Sequence, residues 1–152
     1  MNPRIATGVV GVVTVLLGLA GLTQPLRVLA FTGFMVENAS RSAGALGEVR
    51  ATYGGVFLVL GVYTLLATVN PVAHRSRLVL LGLVWVGACA GRLFGVSIDG
   101  SPGLFGWLSA GFELVMGGTL LLAALGASAA AELIPAAVGA ETPPAVGVSP
   151  PA

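Results

Sequence analysis

The chain carries ionisable side chains inside strongly apolar segments, and their chemistry needs an explanation. Glu48 and Arg50 open the second apolar segment, Arg92 and Asp99 lie at the end of the third, and Glu113 lies within the fourth. An arginine or a carboxylate at the centre of a membrane helix costs about 2.5–3.5 kcal/mol on insertion scales. Such residues therefore persist where they are paired, hydrated or functional.

The depths of these residues agree if the segments are helices that cross a membrane. Arg92 lies six residues before Ile98, and Glu113 lies nine residues after Leu104. At 1.5 Å per residue, both side chains sit about 10–13 Å below the same membrane face. We predict that Arg92 and Glu113 pair between the third and fourth segments, and that Arg50 approaches the same carboxylate.

Two interpretations of this polar cluster are open: a polar pocket or ion-coupled site, and a salt-bridge network that locks the helices. The sequence contains no G-x-S-x-G, H-E-x-x-H, phosphate-loop or dinucleotide signature. We therefore expect no catalytic residue, no metal site and no cofactor, and predict that the protein is not an enzyme. A reaction on a lipid or a quinone is the remaining enzymatic possibility.

The composition identifies the class of protein that must hold these residues. Hydrophobic residues make up 56% of the 152 residues and charged residues 9%, with a mean hydropathy of +0.98. A soluble domain carries about 25% charged residues, so this chain predicts an integral membrane protein in contact with the lipid bilayer. A net charge of +1 gives no basic surface for nucleic acid. The single cysteine, Cys89, excludes an intrachain disulfide.

A membrane-crossing helix needs roughly 20 apolar residues, and four segments reach that length. We predict spans at about 5–22, 48–69, 78–98 and 104–126, which together form an all-α four-helix membrane domain over 1–126. The first span exceeds the 7–15 apolar residues of a signal peptide, so we expect it to be retained. Residues 25–36 suit the membrane interface. The Ala- and Pro-rich residues 127–152 predict a flexible tail, disordered beyond about Leu133.

Small residues predict how the spans pack, since close backbone approach drives helix association in membranes. The glycines that form such faces are Gly54, Gly61, Gly87, Gly91, Gly95, Gly106 and Gly117. The sequence leaves open whether these faces meet within the chain or in a homo-oligomer.

Arginine placement predicts the orientation of the spans. Arg4, Arg75 and Arg77 fall on one side of the membrane, and Arg27 and Arg41 fall on the other. Because cytoplasmic loops carry the excess of positive charge, we place both termini in the cytoplasm, with the protein in a bacterial inner membrane.

The order of motifs also resembles a known family. The residues concerned are Glu48-Val49-Arg50-Ala51-Thr52-Tyr53-Gly54-Gly55, then Gly91-Arg92, Asp99-Gly100 and finally Glu113. This pattern resembles a bacterial family of small four-span membrane proteins described as a domain of unknown function. The resemblance implies the four-span architecture and a shared Glu/Arg constellation, and it implies no activity.

Two functions remain as expectations from the sequence. The first is a non-enzymatic bundle with a structural or regulatory role toward a membrane-protein partner or a second copy of itself. The second is a small transporter, coupled to ions or protons, that uses the Glu/Arg cluster.

Overall fold

The computed structural model describes residues 2–32 and 43–140 of the chain, and this part is all-helical. Its helices are α1 (Pro3–Thr23), α2 (Pro25–Phe31), α3 (Ala43–Val69), α4 (Arg75–Asp99) and α5 (Gly103–Ala140). Four segments are long and apolar enough to cross a membrane, namely α1, α3, α4 and the Gly103–Ala127 part of α5. The predicted all-α bundle is confirmed, and the chain is a multi-pass membrane protein.

The helix ends follow from local backbone chemistry. The side chain of Asn2 accepts a hydrogen bond from the backbone N–H of Arg4 and caps the start of α1, where Pro3 occupies the first turn. Gly100 ends α4 with a φ of +87°, a conformation that residues with a Cβ rarely adopt. These signals give the predicted spans their observed bounds to within a few residues, except in α3 and α5.

Two helices extend further than the sequence predicts. Within the described residues, α3 begins at Ala43, five residues before the predicted start. α5 continues to Ala140, past Leu133, through an alanine-rich stretch with high helix propensity. The predicted disorder of the tail stays a prediction for residues 141–152, which, like Arg41 and residues 33–36, lie outside the described residues.

α1 and α3 form one closely packed pair, and glycine is required at their contact. A Cβ atom on Gly18 would lie 2.5 Å from the backbone nitrogen of Leu58, and one on Gly61 would lie 2.5 Å from that of Val15. Gly54 faces α1 in the same interface. The packing expected of Gly54 and Gly61 agrees with these contacts.

α4 and α5 form the second pair, which uses a different set of glycines from the predicted one. A Cβ atom on Gly117 would lie 2.8 Å from the carbonyl oxygen of Gly82, a residue that the sequence argument did not select. Among the described residues, nothing lies within 4 Å of a Cβ placed on Gly87, Gly91 or Gly95. These three glycines therefore make no close helix contact within the described part of the chain, and their packing in a homo-oligomer stays a prediction. α4 turns toward the protein the face that carries Gly82, Trp85 and Cys89.

Gly106 also departs from its expected role. Its nearest neighbour is the side chain of Pro102, in the turn that precedes α5, and not another helix. The residue lies in the first turn of α5, beside the tight connection to α4. Glycine at this position leaves room for the side chain of Pro102, so it serves the connection and not a contact between two helices.

The two pairs join through an apolar core in one half of the bundle only. The core combines the start of α1, the end of α3, the start of α4 and the middle of α5 through Val10, Ala67, Leu78, Leu81, Trp85, Met116, Leu120, Ala123 and Ala124. These segments lie toward the membrane face that carries the N-terminus. The other half, toward α2 and the α4–α5 turn, holds the cavity described next.

Candidate functional site

Arg92 of α4 and Glu113 of α5 form an ion pair inside the bundle. Nη2 of Arg92 donates to Oε1 of Glu113 at 2.6 Å, and Nε donates to Oε2 at 3.2 Å. Two parallel hydrogen bonds between a guanidinium and a carboxylate fix the orientation of both groups as well as their separation. The structure thus brings together the two residues whose depths the sequence matched.

The helix positions explain why the pair forms at this depth. Arg92 lies seven residues before the end of α4 at Asp99, and Glu113 lies ten residues after the start of α5 at Gly103. These distances correspond to about 10 Å and 15 Å along the helix axes, from the same end of the bundle. Glu113 shares a buried face with Ala110, so its carboxylate points at α4 and not at lipid.

Exposure differs between the two partners. The side chain of Glu113 is 9% exposed, whereas that of Arg92 is 36% exposed. Both bonds to Glu113 use Nε and Nη2, so the Nη1 hydrogens of Arg92 have no partner among the described residues. A guanidinium that is fixed on one edge and open on the other can donate hydrogen bonds to a ligand.

Arg50 does not join this pair, and the predicted approach to Glu113 is wrong. Its Nε donates instead to the carbonyl oxygen of Leu22, at 3.3 Å, in the last turn of α1. The last four carbonyls of a helix have no partner within the helix and lie at the negative end of its dipole, so they attract a cation. A π-helical turn at Arg50–Val56 also changes the face on which Arg50 lies relative to a regular α-helix.

Glu48 and Asp99 also lie apart from the ion pair. Glu48 is exposed in the first turns of α3, and Asp99 is exposed at the end of α4. Both positions are close enough to the helix ends for the carboxylates to reach the membrane surface. The predicted five-residue cluster is therefore reduced to a pair.

A partly open cavity of about 440 Å³ lies beside the ion pair and is lined by residues of α1, α2, α3, α4 and α5. We call it the aromatic cavity, and its lining residues are Leu17, Ala20, Gln24, Arg27, Val28, Phe31, Thr32, Tyr53, Phe57, Trp85, Arg92, Ser109, Phe112 and Glu113. This volume falls within the range of about 300–1,000 Å³ that is typical of small-molecule sites.

A continuous chain of aromatic rings forms much of the cavity wall. Tyr53 contacts Phe57 at 5.9 Å between ring centroids, Phe57 contacts Trp85 at 5.3 Å, and Trp85 contacts Phe112 at 5.6 Å. The last contact places the rings nearly perpendicular, at 86°. The charged residues alone suggested a polar pocket, and these aromatic rings were not part of that interpretation. The four-residue spacing of Tyr53 and Phe57 places both rings on one face of a helix, which indicates an aromatic surface but not the cavity.

The short helix α2 lines one side of the aromatic cavity. Phe31, at its end, packs edge-on against Phe105 of α5 at 6.1 Å, and this contact links α2 to the second helix pair. Gln24 and Arg27 are joined by a hydrogen bond of 2.7 Å and line the cavity from this side. Gln24 and Arg27 therefore add polar groups to a lining that is mainly apolar.

The chemistry of the site follows from its groups. The ion pair has no net charge, and Arg92 and Arg27 add donors to a mainly apolar wall. Within the described ranges, no three His, Cys, Asp or Glu side chains are grouped so that they could hold a metal ion. The arrangement can therefore bind and orient an apolar molecule that carries an oxygen acceptor.

The chain was also compared with known proteins. No curated protein and no solved structure matches it. One family model matches residues 3–124, which include the ion pair and every residue that lines the aromatic cavity. The chain therefore belongs to the family described as "Domain of unknown function (DUF4345)".

Proposed function

We propose that this protein is a non-enzymatic membrane protein that binds a neutral, lipid-soluble molecule with a carbonyl-type oxygen in the aromatic cavity. The observation that carries the proposal is the guanidinium of Arg92. Glu113 holds it from one side, and its Nη1 hydrogens remain available beside a wall of aromatic rings.

At the end of the cavity that holds Arg92 and Glu113, away from Arg27, the electrostatics of the pair favour a neutral ligand over an anion. Glu113 already neutralises Arg92 through two hydrogen bonds, and its carboxylate would repel a second carboxylate nearby. The free edge of Arg92 still offers donors, so a ligand oxygen with lone pairs is the matching group. Ketones, quinones and esters present such an oxygen without a net charge.

The shape of the wall favours a ligand with a flat ring. The rings of Phe57, Trp85 and Phe112 are tilted or perpendicular to one another and present both edges and faces to the cavity. Aromatic pairs prefer edge-to-face or offset contacts, which a bound ring can extend. A ring that carries a carbonyl would satisfy both the wall and Arg92.

Binding is better supported than transport, although an intramembrane ion pair beside a cavity is also a feature of transporters. Between the aromatic cavity and the opposite membrane face lies the apolar core, where Leu78 and Leu120 are fully buried. A transported molecule would have to pass this packed region. We therefore keep a small transporter as the second candidate, with uptake into proteoliposomes as its test.

Tryptophan fluorescence tests the proposal, because one tryptophan lines the cavity and the other does not. Trp85 is 4% exposed and Trp107 is 48% exposed on the outer surface of α5. In the Trp107→Phe variant, quenching of Trp85 fluorescence by decyl-1,4-benzoquinone should saturate as the quinone concentration rises. Adding Arg92→Leu and Glu113→Leu should weaken this binding about tenfold, the effect of losing one hydrogen bond to a charged group.

The matched control is Trp85→Phe, in which only Trp107 reports. Quenching of Trp107 should rise linearly with quinone, as partitioning into the membrane predicts. Linear quenching of Trp85 as well would overturn the proposed site. If the protein takes up a solute in a general transport screen and the quinone does not quench Trp85, the transporter is favoured.

We also propose that the cavity lies in the outer half of a bacterial inner membrane, with both termini in the cytoplasm. The support is the pair of arginines at the start of α4, Arg75 and Arg77, because short cytoplasmic loops carry an excess of positive charge. In a Cys89→Ser background, a cysteine at Ser101 should react with an impermeant maleimide on intact cells, and one at Ser76 should react only after lysis. The reverse pattern would invert the orientation.

A further inference from the structure

We propose that a second site, which adjoins the aromatic cavity and shares Gln24 and Arg27 with it, binds the phosphate of an anionic phospholipid headgroup at the membrane interface. The site is a groove of about 700 Å³ where the end of α1, the start of α2 and the start of α3 meet. We call it the headgroup groove, and the residues used in the argument are Gln24, Arg27, Leu46 and Arg50.

Two arginines face the headgroup groove, and each has an uncharged partner. Nη1 of Arg27 donates to the side-chain oxygen of Gln24 at 2.7 Å. Nε of Arg50 donates to the backbone carbonyl of Leu22 at 3.3 Å. Each guanidinium keeps further N–H donors and its full positive charge, and a guanidinium suits a phosphate through paired hydrogen bonds.

The lining of the headgroup groove contains no carboxylate among the residues that the structure describes. The nearest acidic residue along α3 is Glu48, two positions before Arg50. Residues two apart in a helix do not face each other, and Glu48 is not part of the lining. The charge of the groove is therefore complementary to an anion.

The lengths of the helices place the groove at the boundary between hydrocarbon and headgroups. α1 has 21 residues, which correspond to about 31 Å and just span a hydrocarbon core of about 30 Å. α3 has 27 residues, or about 40 Å, so about 10 Å of it extends past the core. If Val69 lies at the opposite boundary of the hydrocarbon core, the part of α3 that extends past the core runs from Ala43 to near Arg50. Both estimates place the arginines at the depth of lipid phosphates.

The groove also has apolar walls that a lipid can contact and a soluble anion cannot. Pro25, Leu26 and Leu46 line it beside the arginines, and Leu26 is itself exposed. A phospholipid places its phosphate and the first part of its acyl chains at the same interface. The combination of two charges and apolar walls therefore favours a lipid headgroup over free phosphate.

Native mass spectrometry of the full chain in detergent, with equal amounts of phosphatidylglycerol and phosphatidylcholine, tests the proposal. The unmodified protein should retain the anionic lipid with a preference of about thirtyfold, since each of the two arginines contributes about 1 kcal/mol near an anionic lipid. Arg27→Gln with Arg50→Gln should remove most of this preference. Arg75→Gln with Arg77→Gln, the same change of charge at the opposite end, should leave it intact.

Each other result overturns the proposal. An equal loss in both double variants would assign the preference to net charge alone. Displacement of the lipid by inorganic phosphate at equal concentration would assign the groove to a soluble anion. Because Arg50 also caps α1, the single variant Arg27→Gln is measured too. If Arg27→Gln keeps the full preference while its unfolding midpoint is unchanged, the site is not the headgroup groove.

Discussion

Replacing Glu113 by Gln should destabilise the bundle by about 2–3 kcal/mol, below the 3–5 kcal/mol typical of a fully buried broken ion pair. Because glutamine has nearly the same shape as glutamate, the loss in the free energy of unfolding measures the cost of leaving the charge of Arg92 unpaired. That charge cannot be removed, because a guanidinium stays protonated in proteins. The partial exposure of Arg92 to the aromatic cavity lowers the cost. Equilibrium unfolding in mixed micelles measures the free energy of unfolding.

Arg92→Leu should cost less than Glu113→Gln, about 1 kcal/mol, which is the usual size of a single substitution. The carboxyl that remains can bind a proton and become neutral, whereas the guanidinium has no such alternative. The double variant with leucine at both positions should be close to the unmodified protein, since apolar residues often replace a buried ion pair at no cost. Non-additivity in this cycle measures the coupling between the two residues.

Glu48→Gln is the matched control, because Glu48 is an exposed carboxylate of the same type on α3. It should change the free energy of unfolding by less than about 0.5 kcal/mol, as surface substitutions usually do. Equal costs for Glu113→Gln and Arg92→Leu would contradict the asymmetry, and additivity of the two would contradict the pairing. If the double variant is stable and has lost quinone binding, the pair serves the ligand as well as the fold.

The four spans and the ion pair could be predicted from the sequence because both depend on local quantities. Apolar length gives the spans, and residue counts from the shared turn between α4 and α5 give the depths of Arg92 and Glu113. These two residues lie on consecutive helices joined by a short connection, so one distance argument is enough. The cavity required the relative placement of five elements, which no local pattern contains.

The environment of Arg50 could not be predicted for two physical reasons. A regular α-helix was assumed from Glu48 onward, whereas Arg50–Val56 forms a π-helical turn with a different angular step. The competing acceptor, the carbonyl of Leu22, is a backbone atom of another helix. The pattern of side chains in the sequence does not indicate which backbone carbonyl of another helix accepts a hydrogen bond.

The glycines show a similar limit. Regular spacing selected Gly87, Gly91 and Gly95, yet the structure packs α4 through Gly82. Glycine spacing reports that a helix has a smooth face. Which face of a helix is buried depends on all the residues at the contact between helices. Here Trp85, on the same face of α4 as Gly82, lies in the core of the bundle. Only contacts between helices, and not spacing within one, decide between these faces.

Replacing Gly18 by Ala should destabilise the α1–α3 pair by about 2–3 kcal/mol, within the range for overpacked sites. The new Cβ would lie 2.5 Å from the nitrogen and 2.8 Å from the Cα of Leu58. These are backbone atoms and cannot rotate away, so the two helices must separate. The free energy of unfolding in mixed micelles measures the effect.

Gly91→Ala is the matched control, because it makes the same chemical change at an open position of α4. It should be neutral or stabilising by up to about 1 kcal/mol, since alanine has the higher helix propensity. Gly61→Ala should resemble Gly18→Ala, as its Cβ meets the backbone of Val15. The double variant Gly18→Ala with Gly61→Ala should cost less than the sum, because one separation of α1 from α3 relieves both clashes. Full additivity, or a cost for Gly91→Ala equal to that of Gly18→Ala, would show that these helices do not pack through Gly18 and Gly61.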